Sequence, residues 1–311
     1  MSTHFRGSFR SSDKAHDIAY YVVFPKGSVR GVVQIVHGMA EYFERYNAFA
    51  DFLADNGFAV CGEDHLGHGR SVSTDSDYGY FSERGGWQNV IRDMCRLTKM
   101  MKRNYPEVPY FVFGHSMGSF LARAYVIKCG RLIDGAVFSG TSGGQGGTEA
   151  LLTMLDIAGR IRGDRAKGKL FDKLAFGSYN KKIAQRNSDF DWLSRDPSVV
   201  AKYCADKRCG FTFTINGFEN LAKLLWYVSN DKWYSAYPKH LPTYLIAGSD
   251  DPVGEYGKGV LKVFNKLNMQ QCNIEMKIYK GARHELTNET NKQEVFADVL
   301  DFFESVMQGQ Q

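Results

Sequence analysis

Residues 110–130, YFVFGHSMGSFLARAYVIKCG, predict the local structure around which this chain is built. The first four residues are apolar, which is typical of a strand buried on both faces, and from Met117 apolar residues recur at helical spacing. A strand therefore turns into a helix at the pentapeptide GHSMG, residues 114–118. In such a turn the central serine has a strained backbone and an exposed hydroxyl, and the flanking glycines avoid Cβ collisions. Ser116 is therefore the candidate nucleophile.

The same five-residue pattern occurs a second time, around Ser142 in GTSGG at residues 140–144. A strand-like run also precedes it, but QGG follows, where a nucleophile turn requires an immediate helix. The local context therefore favours Ser116 over Ser142.

Composition indicates a globular protein with a substantial core, built as one large α/β domain or two small ones. The chain has 311 residues, of which 43% are apolar, and its formal net charge is +5. Because basic residues are scattered among acidic ones, we expect no nucleic-acid partner. Residues 1–17 are polar, lack the apolar segment of a secretory signal and precede no membrane-spanning run, so we expect a cytoplasmic protein.

Six cysteines are spread along the chain without a CxxC pair, and several lie in apolar patterns. We expect them to be small buried side chains in a reducing compartment, and we expect neither a metal site nor a cofactor. They are Cys61, Cys95, Cys129, Cys204, Cys209 and Cys272.

Strands alternate with helices along most of the chain, which predicts a mostly parallel sheet covered on both faces, with functional groups at the carboxyl ends of its strands. After residue 140 about a hundred residues follow with helical patterns and many aromatics, before a strand resumes near residue 241. The sequence therefore predicts a core of residues 1–140 and 236–311, with residues 141–235 inserted as a helical cap. The core is predicted to end with a helix over 254–267, a strand over 274–278 and a final helix.

A serine hydroxyl needs a histidine to take its proton, and the order along the chain in such a fold is Ser, then Asp or Glu, then His. Two histidines follow Ser116. His240 precedes a predicted strand, at the wrong end of the sheet, whereas His284 follows one and so reaches the edge that presents Ser116. His284 is the predicted base.

The acid is expected after a strand between the nucleophile and the base, where the sequence GSDDP at 248–252 offers Asp250 and Asp251. Asp251 precedes a proline that restrains the turn, whereas Asp250 can serve to hydrogen-bond the loop. Either could instead cap a following helix. We favour Asp251 as the acid.

Acyl transfer also requires hydrogen-bond donors for the oxyanion, usually the backbone N–H after the nucleophile and one from the loop after an early strand. Here those residues are Met117 and Met39.

Taken together, these motifs resemble the monoacylglycerol lipase and lysophospholipase branch of the α/β-hydrolases, the serine aminopeptidase S33-like family, over residues 18 to 305. The segments that carry the resemblance are HGMAE at 37–41 with Arg45 and Tyr46, DHLGHGRS at 64–71, GHSMG at 114–118, GSDD at 248–251, and His284. The resemblance implies an α/β-hydrolase fold and a Ser/Asp/His esterase that acts on monoacylated glycerol or lysolipids under a cap. Residues 191–196 and 209–214 of the cap resemble bacterial members more than the animal lipase.

Other functions remain open at this point. A thioesterase or a short-chain carboxylesterase would use the same chemistry, and a small-molecule receptor could retain a hydrolase pocket. Epoxide hydrolases and dehalogenases of this fold carry aspartate where Ser116 stands. We expect an acyl ester or lipid substrate, with medium or long single chains preferred because residues 151–226 contain many large apolar side chains. Peripheral membrane contact through the cap is a further hypothesis, and the sequence gives no indication of oligomeric state.

Overall fold

A computed structural model describes residues 2–144 and 146–309. Within that part of the chain, the central element is one eight-stranded sheet with the order β1-β2-β4-β3-β5-β6-β7-β8. The strands are β1 (Thr3–Arg10), β2 (Asp17–Phe24), β3 (Gly31–Val36), β4 (Phe58–Glu63), β5 (Tyr110–His115), β6 (Gly135–Ser139), β7 (Thr243–Gly248) and β8 (Ile274–Tyr279). The pairs β1–β2 and β2–β4 are antiparallel, and all other neighbouring strands are parallel. The predicted α/β-hydrolase fold class is confirmed.

Helices cover both faces of the sheet, as the apolar character of the central strands requires. They are α1 (Asn47–Asp55), α2 (Gly86–Asn104), α3 (Met117–Cys129), α4 (Thr148–Arg162), α5 (Lys169–Phe176), α6 (Pro197–Ala205), α7 (Ile215–Ser229), α8 (Asp231–Ala236), α9 (Lys258–Met269) and α10 (Lys292–Gln308). Apolar residues of α1 and α10 form one buried cluster with the sheet, and those of α2, α3 and α9 form another on the opposite face.

Five helices, α4 to α8, lie in the segment between β6 and β7. Helix α7 is fixed to the rest of the molecule by two buried asparagines: Asn216 accepts a hydrogen bond from the Phe81 N–H at 3.1 Å, and Asn220 accepts one from the Trp87 N–H at 3.0 Å. These bonds hold the segment against the start of α2, above the carboxyl ends of the strands.

Two local elements differ from the sequence prediction. Strand β1 was not predicted, because it is an edge strand with mostly exposed side chains, of which only Phe5 and Phe9 are apolar. The helix predicted from residue 254 begins instead at Lys258. The preceding residues Glu255, Tyr256 and Gly257 all have positive φ angles, so the chain turns sharply before the helix can start.

The expectation for the cysteines was wrong for three of the six. Cys95 on α2 and Cys129 on α3 form a disulfide, and Cys204 is exposed. The two bonded cysteines are 34 residues apart in the sequence, and the side-by-side packing of α2 and α3 brings their Cα atoms to 6.5 Å. Cys61, Cys209 and Cys272 are free and buried, as expected.

None of the described helices combines the length and apolar character that crossing a bilayer requires.

Candidate active site

Ser116 lies in the turn between β5 and α3, where it has φ 53° and ψ −122°. The glycines on either side make this turn possible. A Cβ on Gly118 would collide with the carbonyl oxygen of Val36, and one on Gly114 would lie 2.8 Å from the Cβ of Ala122. A non-glycine residue with positive φ is strained, so the packing of β5, β3 and α3 holds Ser116 in a conformation it would not otherwise adopt.

His284 and Asp251 meet at the carboxyl edge of the sheet, in the loops that follow β8 and β7. The His284 Nδ1 and Asp251 Oδ2 atoms are 2.9 Å apart, and both side chains are buried. The other carboxylate oxygen of Asp251 accepts a hydrogen bond from the Val253 N–H at 2.8 Å. Among the described residues, His284 Nε2 has no hydrogen-bond partner, and His284 lines the same cavity as Ser116. The histidine therefore has one ring nitrogen fixed by a carboxylate, while the other has no hydrogen-bond partner among the described residues.

The alternative residues occupy different environments. Asp250 is exposed, and its carboxylate accepts a hydrogen bond from the neighbouring Ser249 hydroxyl at 2.9 Å. His240 is exposed in the loop before β7, at the opposite edge of the sheet. Ser142 also lines the cavity, but α4 begins six residues after it, so it is not at the start of a helix as Ser116 is.

The pKa of His284 is raised above its ordinary value. Burial alone lowers this pKa, but the negative charge of Asp251 and its hydrogen bond to the ring outweigh burial, with help from Glu285 and Glu41. The site thus favours the protonated imidazolium that a general base becomes when it accepts a proton.

The four other buried histidines near the site behave in the opposite way. Burial lowers the pKa of His37 and of His68 to about 3. Burial and the neighbouring His284 lower the pKa of His115 to about 4, and burial lowers that of His65 well below its usual range. These rings stay neutral at working pH, so they cannot take the place of His284 as the group that titrates.

The two residues predicted to supply backbone N–H groups, Met39 and Met117, both lie near Ser116 in the fold. Met117 is the first residue of α3, where N–H groups have no partner within the helix. Met39 lies in the loop after β3, next to Gly38. A Cβ added to Gly38 would be 3.2 Å from the Cβ of Ser116, so this loop passes close to the serine. Met39 and Met117 both line the cavity.

A buried ion-pair network that the sequence did not predict fixes this loop. Glu41 accepts a hydrogen bond from the Gly38 N–H at 2.5 Å and pairs with Arg45, also at 2.5 Å. Arg45 forms two further bonds, at 2.7 and 2.6 Å, with the carboxylate of Glu285, the residue after His284. The network therefore joins the loop of Met39 to the loop of His284. Glu41 and Arg45 were visible in the sequence motif, but Glu285, the second partner of Arg45, lies 240 residues after Arg45.

The cavity above Ser116 has a volume of about 880 Å³ and is lined by two different kinds of surface. The core side contributes Ser116, His284, Met39 and Met117. The segment between β6 and β7 contributes mostly apolar side chains, among them Leu155, Phe171, Phe211, Phe218 and Leu225. Among the described residues, no group of three or more His, Cys, Asp or Glu side chains is arranged to hold a metal ion. The arrangement can attack a carbonyl group and hold a hydrocarbon chain beside it.

Comparison with known proteins gives a consistent family match. The family model described as serine aminopeptidase, S33 (Hydrolase_4), matches residues 27–291. A monoacylglycerol lipase of Mycolicibacterium smegmatis is 29% identical over 292 residues, which cover 93% of this chain and 93% of that protein. A carboxyl esterase from Bacillus coagulans, solved in complex with glycerol, superposes with a TM-score of 0.91 at 31% identity, covering 98% of this chain and 99% of the other. A lipase solved in its open form gives a TM-score of 0.90 at 28% identity, with the same coverage.

Proposed function

The chain belongs to the serine aminopeptidase S33 family, and from this membership we propose that it is a serine hydrolase that cleaves carboxylic esters of single acyl chains, of the monoacylglycerol or lysophospholipid type. The relatives named above, a monoacylglycerol lipase, a carboxyl esterase and a lipase, support an ester substrate. The observation that carries the proposal is the apolar cavity directly above Ser116 and His284.

In the proposed mechanism Ser116, His284 and Asp251 act as a catalytic triad. The Ser116 hydroxyl attacks the ester carbonyl while His284 Nε2 accepts its proton, and Asp251 keeps the proton on Nδ1 and stabilises the imidazolium. The free Nε2 and the 2.9 Å contact between Nδ1 and Asp251 support these roles. The strained Ser116 backbone supports its role as nucleophile, because the turn presents the side chain to the cavity.

The oxyanion of the tetrahedral intermediate would be bound by the N–H groups of Met39 and Met117. When the tetrahedral intermediate collapses, the alcohol leaves with the proton that His284 took from Ser116, and the acyl group stays on Ser116. Water then attacks the acyl-enzyme with His284 again as base, releasing the fatty acid and the free serine. The Glu41–Arg45–Glu285 network would hold the loops of Met39 and His284 in the same relative position during both steps.

We propose that residues 141–235 act as a cap that covers this site and binds the acyl chain. Leu155 on α4, Phe171 on α5 and Phe218 on α7 line the cavity from above. A cavity of about 880 Å³ is within the range of sites for one drug-sized ligand, so one hydrocarbon chain fits better than the three chains of a triacylglycerol.

We also propose that the cap contacts membranes peripherally. Exposed apolar residues recur along α4 at Met154, Ile157 and Ile161, and along α5 at Leu170 and Leu174. Leu174 also lines the cavity, so the apolar stripe of α5 borders the entrance to the site. Contact with a lipid surface would cover these side chains and bring the entrance to the substrate.

A cytoplasmic location stays a prediction from the polar residues 1–17. The Cys95–Cys129 disulfide weighs against it, because disulfides persist mainly in oxidising compartments.

The proposal is tested by covalent labelling together with a panel of substrates. A fluorophosphonate probe should modify Ser116, and Ser116→Ala should lose roughly 10⁴- to 10⁶-fold in kcat, as other triads do. Ser142→Ala, the matched control on the second motif, should keep most of the activity. An adduct on Ser142 would overturn the assignment.

The panel compares monoacylglycerols, lysophospholipids, acyl thioesters and acetyl esters in parallel. Monoacyl esters with long chains should give the highest kcat/KM. Higher kcat/KM for the thioesters or acetyl esters would favour the corresponding alternative enzyme. Tight binding of an ester without turnover would favour a receptor.

A further inference from the structure

A second cavity, which we call the basic groove, opens at the end of α3 that is remote from Ser116. It has a volume of about 850 Å³ and lies between α2, the carboxyl end of α3 and the turn that follows α3. Helix α3 has 13 residues, so its two ends are about 20 Å apart. The basic groove shares no lining residue with the cavity above Ser116. It is therefore a separate site.

Six cationic side chains line the basic groove, and no acidic side chain of the described residues does. Four of them are spaced by four, three and four residues along α2, which places them on one stripe of the helix. None of the six forms an ion pair with a residue in the ranges 2–144 and 146–309. They are Arg92, Arg96, Lys99, Arg103, Lys128 and Arg131.

The positive charges in the basic groove repel one another. Partial burial and the nearby charges of Arg92 and Lys99 lower the pKa of Lys128. Arg96 is held in place, because its guanidinium donates a hydrogen bond to the Arg10 carbonyl at 2.6 Å and lies 5.0 Å from the centre of the Phe9 ring. All six cationic side chains of the groove are exposed, and no ion pair among the described residues offsets their charge, so a polyvalent anion bound there would relieve the repulsion.

Stabilisation of helix ends explains only part of this cluster. Cations in the last turn of a helix interact favourably with its dipole, and Arg103 and Lys128 are in such positions. Arg92, Arg96 and Lys99 lie earlier in α2, where the dipole effect has faded.

The floor of the basic groove is apolar. It consists of Phe9, Met100, Leu132 and the Cys95–Cys129 disulfide. An apolar floor under a charged rim suits a ligand that has both a hydrophobic portion and several negative charges. Four of the six cations are arginines, whose planar forks match the oxygen geometry of phosphate.

We propose that the basic groove binds a small organic polyanion that carries two or more phosphate groups next to an apolar portion. A single carboxylate would leave most of the six cations unpaired. The volume of about 850 Å³ corresponds to a small-molecule site, and a flat bilayer surface would not fill a concave groove.

The proposal is tested by calorimetric titration of the full-length protein with phosphate, pyrophosphate, tripolyphosphate and adenosine triphosphate. Affinity should rise with the number of phosphate groups and fall with added salt. Adenosine triphosphate should bind more tightly than tripolyphosphate, because its base can lie on the apolar floor. The triple variant Lys99→Gln/Lys128→Gln/Arg131→Gln should bind tripolyphosphate about a hundredfold more weakly, since it loses three charge-assisted contacts.

The control variant Lys202→Gln/Lys258→Gln/Lys280→Gln removes the same charge from exposed positions outside the groove and should bind like wild type. Both variants should keep the wild-type melting temperature and esterase activity, which separates this test from that of the proposed function. The proposal is overturned by unchanged binding in the groove variant, by an equal loss in the control, by no affinity for any of the four probes, or by binding to phosphatidylglycerol vesicles without binding to tripolyphosphate. Equal affinity for adenosine triphosphate and tripolyphosphate would show that the ligand needs no apolar portion, which overturns that part of the proposal.

Discussion

Asp251 uses its two carboxylate oxygens for different partners, and this separates its role from that of its neighbour. One oxygen contacts His284 Nδ1 at 2.9 Å, and the other accepts the Val253 N–H at 2.8 Å, which fixes the angle at which the carboxylate meets the ring. Asp250, one residue earlier, faces solvent and contacts Ser249. Replacing either aspartate by asparagine removes one negative charge, so the two variants make a matched pair for testing which aspartate is the acid.

We predict that Asp251→Asn lowers kcat by about 10⁴-fold, because an amide favours the wrong tautomer of His284. Asp250→Asn should retain most of the activity, since that side chain does not reach the ring. Steady-state kinetics on one monoacyl ester measures both variants. If Asp250→Asn is the more damaged enzyme, Asp251 is not the acid of the site.

The pH profile of the same variants gives an independent check. The protonated ring of His284 cannot accept a proton, so kcat/KM should fall by about tenfold for each pH unit below the pKa of this histidine. Because that pKa is raised above its ordinary value, the fall should begin at a higher pH than for an unperturbed histidine. In Asp251→Asn the charge and hydrogen bond that raise this pKa are removed while burial remains, so the acidic limb should move to lower pH. A profile that is flat from acid to alkaline in the wild type would contradict the role of His284.

At the scale of residues, the sequence could rank candidates by their positions after strands, but it could not show which side chains touch. The preference for Ser116, Asp251 and His284 rested on strand ends, the order along the chain and the residues next to each candidate, and the contact between Asp251 and His284 agrees with it. The pairing of Arg45 with Glu285 depends on two loops that meet only in the folded sheet, so no local pattern could reveal it.

At the scale of elements, helix α7 links the cavity above Ser116 to the core. Its buried residues Asn216 and Asn220 bond to the chain before and at the start of α2, while Leu221 and Leu225 line the cavity. Apolar periodicity could predict the core helices and buried strands. It did not reveal the edge strand β1, which has only two apolar side chains, or the turn that delays α9 to Lys258, which depends on backbone conformation.

We predict that Leu225→Trp shortens the preferred acyl chain, because the larger ring occupies space that the chain would fill. Each buried methylene is worth about 0.8 kcal/mol, so losing room for four of them should reduce kcat/KM for a palmitoyl ester by about a hundredfold. The activity on a butyryl ester should change little. Lys223→Trp, which adds the same ring to the exposed side of α7, should leave the chain-length profile as in wild type. An unchanged profile in Leu225→Trp would mean that the acyl chain does not lie against α7.

At the scale of the whole molecule, charge and apolar surface are distributed in a way that composition does not disclose. The net charge of +5 is modest for 311 residues, yet six cations that form no ion pair with any described residue line the basic groove, because α2 and α3 pack side by side. The same packing brings Cys95 and Cys129 together. The exposed apolar stripes of α4 and α5 are likewise a property of the fold, since the same leucine and isoleucine pattern would also suit a buried helix.

The membrane hypothesis predicts that the apolar stripes of the cap, and not the basic groove, bind the protein to vesicles. Ile161→Gln/Leu170→Gln removes two exposed apolar side chains that do not line the cavity. We expect at least about a tenfold loss of affinity for phosphatidylcholine–phosphatidylglycerol vesicles in a sedimentation assay, because fully burying such a side chain is worth about 1.5–3 kcal/mol. Hydrolysis of a water-soluble butyrate ester should be unchanged, which separates binding from chemistry.

Two variants decide where the contact lies. Leu261→Gln/Met269→Gln removes exposed apolar side chains of α9, 43% and 80% exposed, and should bind vesicles like wild type if the cap alone inserts. The basic-groove variant Lys99→Gln/Lys128→Gln/Arg131→Gln should also bind normally, because those cations lie at the other end of α3 from the entrance to the site. Equal losses of vesicle affinity in the cap and α9 variants would mean that any exposed apolar side chain contributes to binding, so the cap would have no special role. A loss confined to the basic-groove variant would show that the protein binds the membrane through the face that carries the basic groove. The entrance to the site would then face away from the lipid, and the cap would have no part in membrane contact.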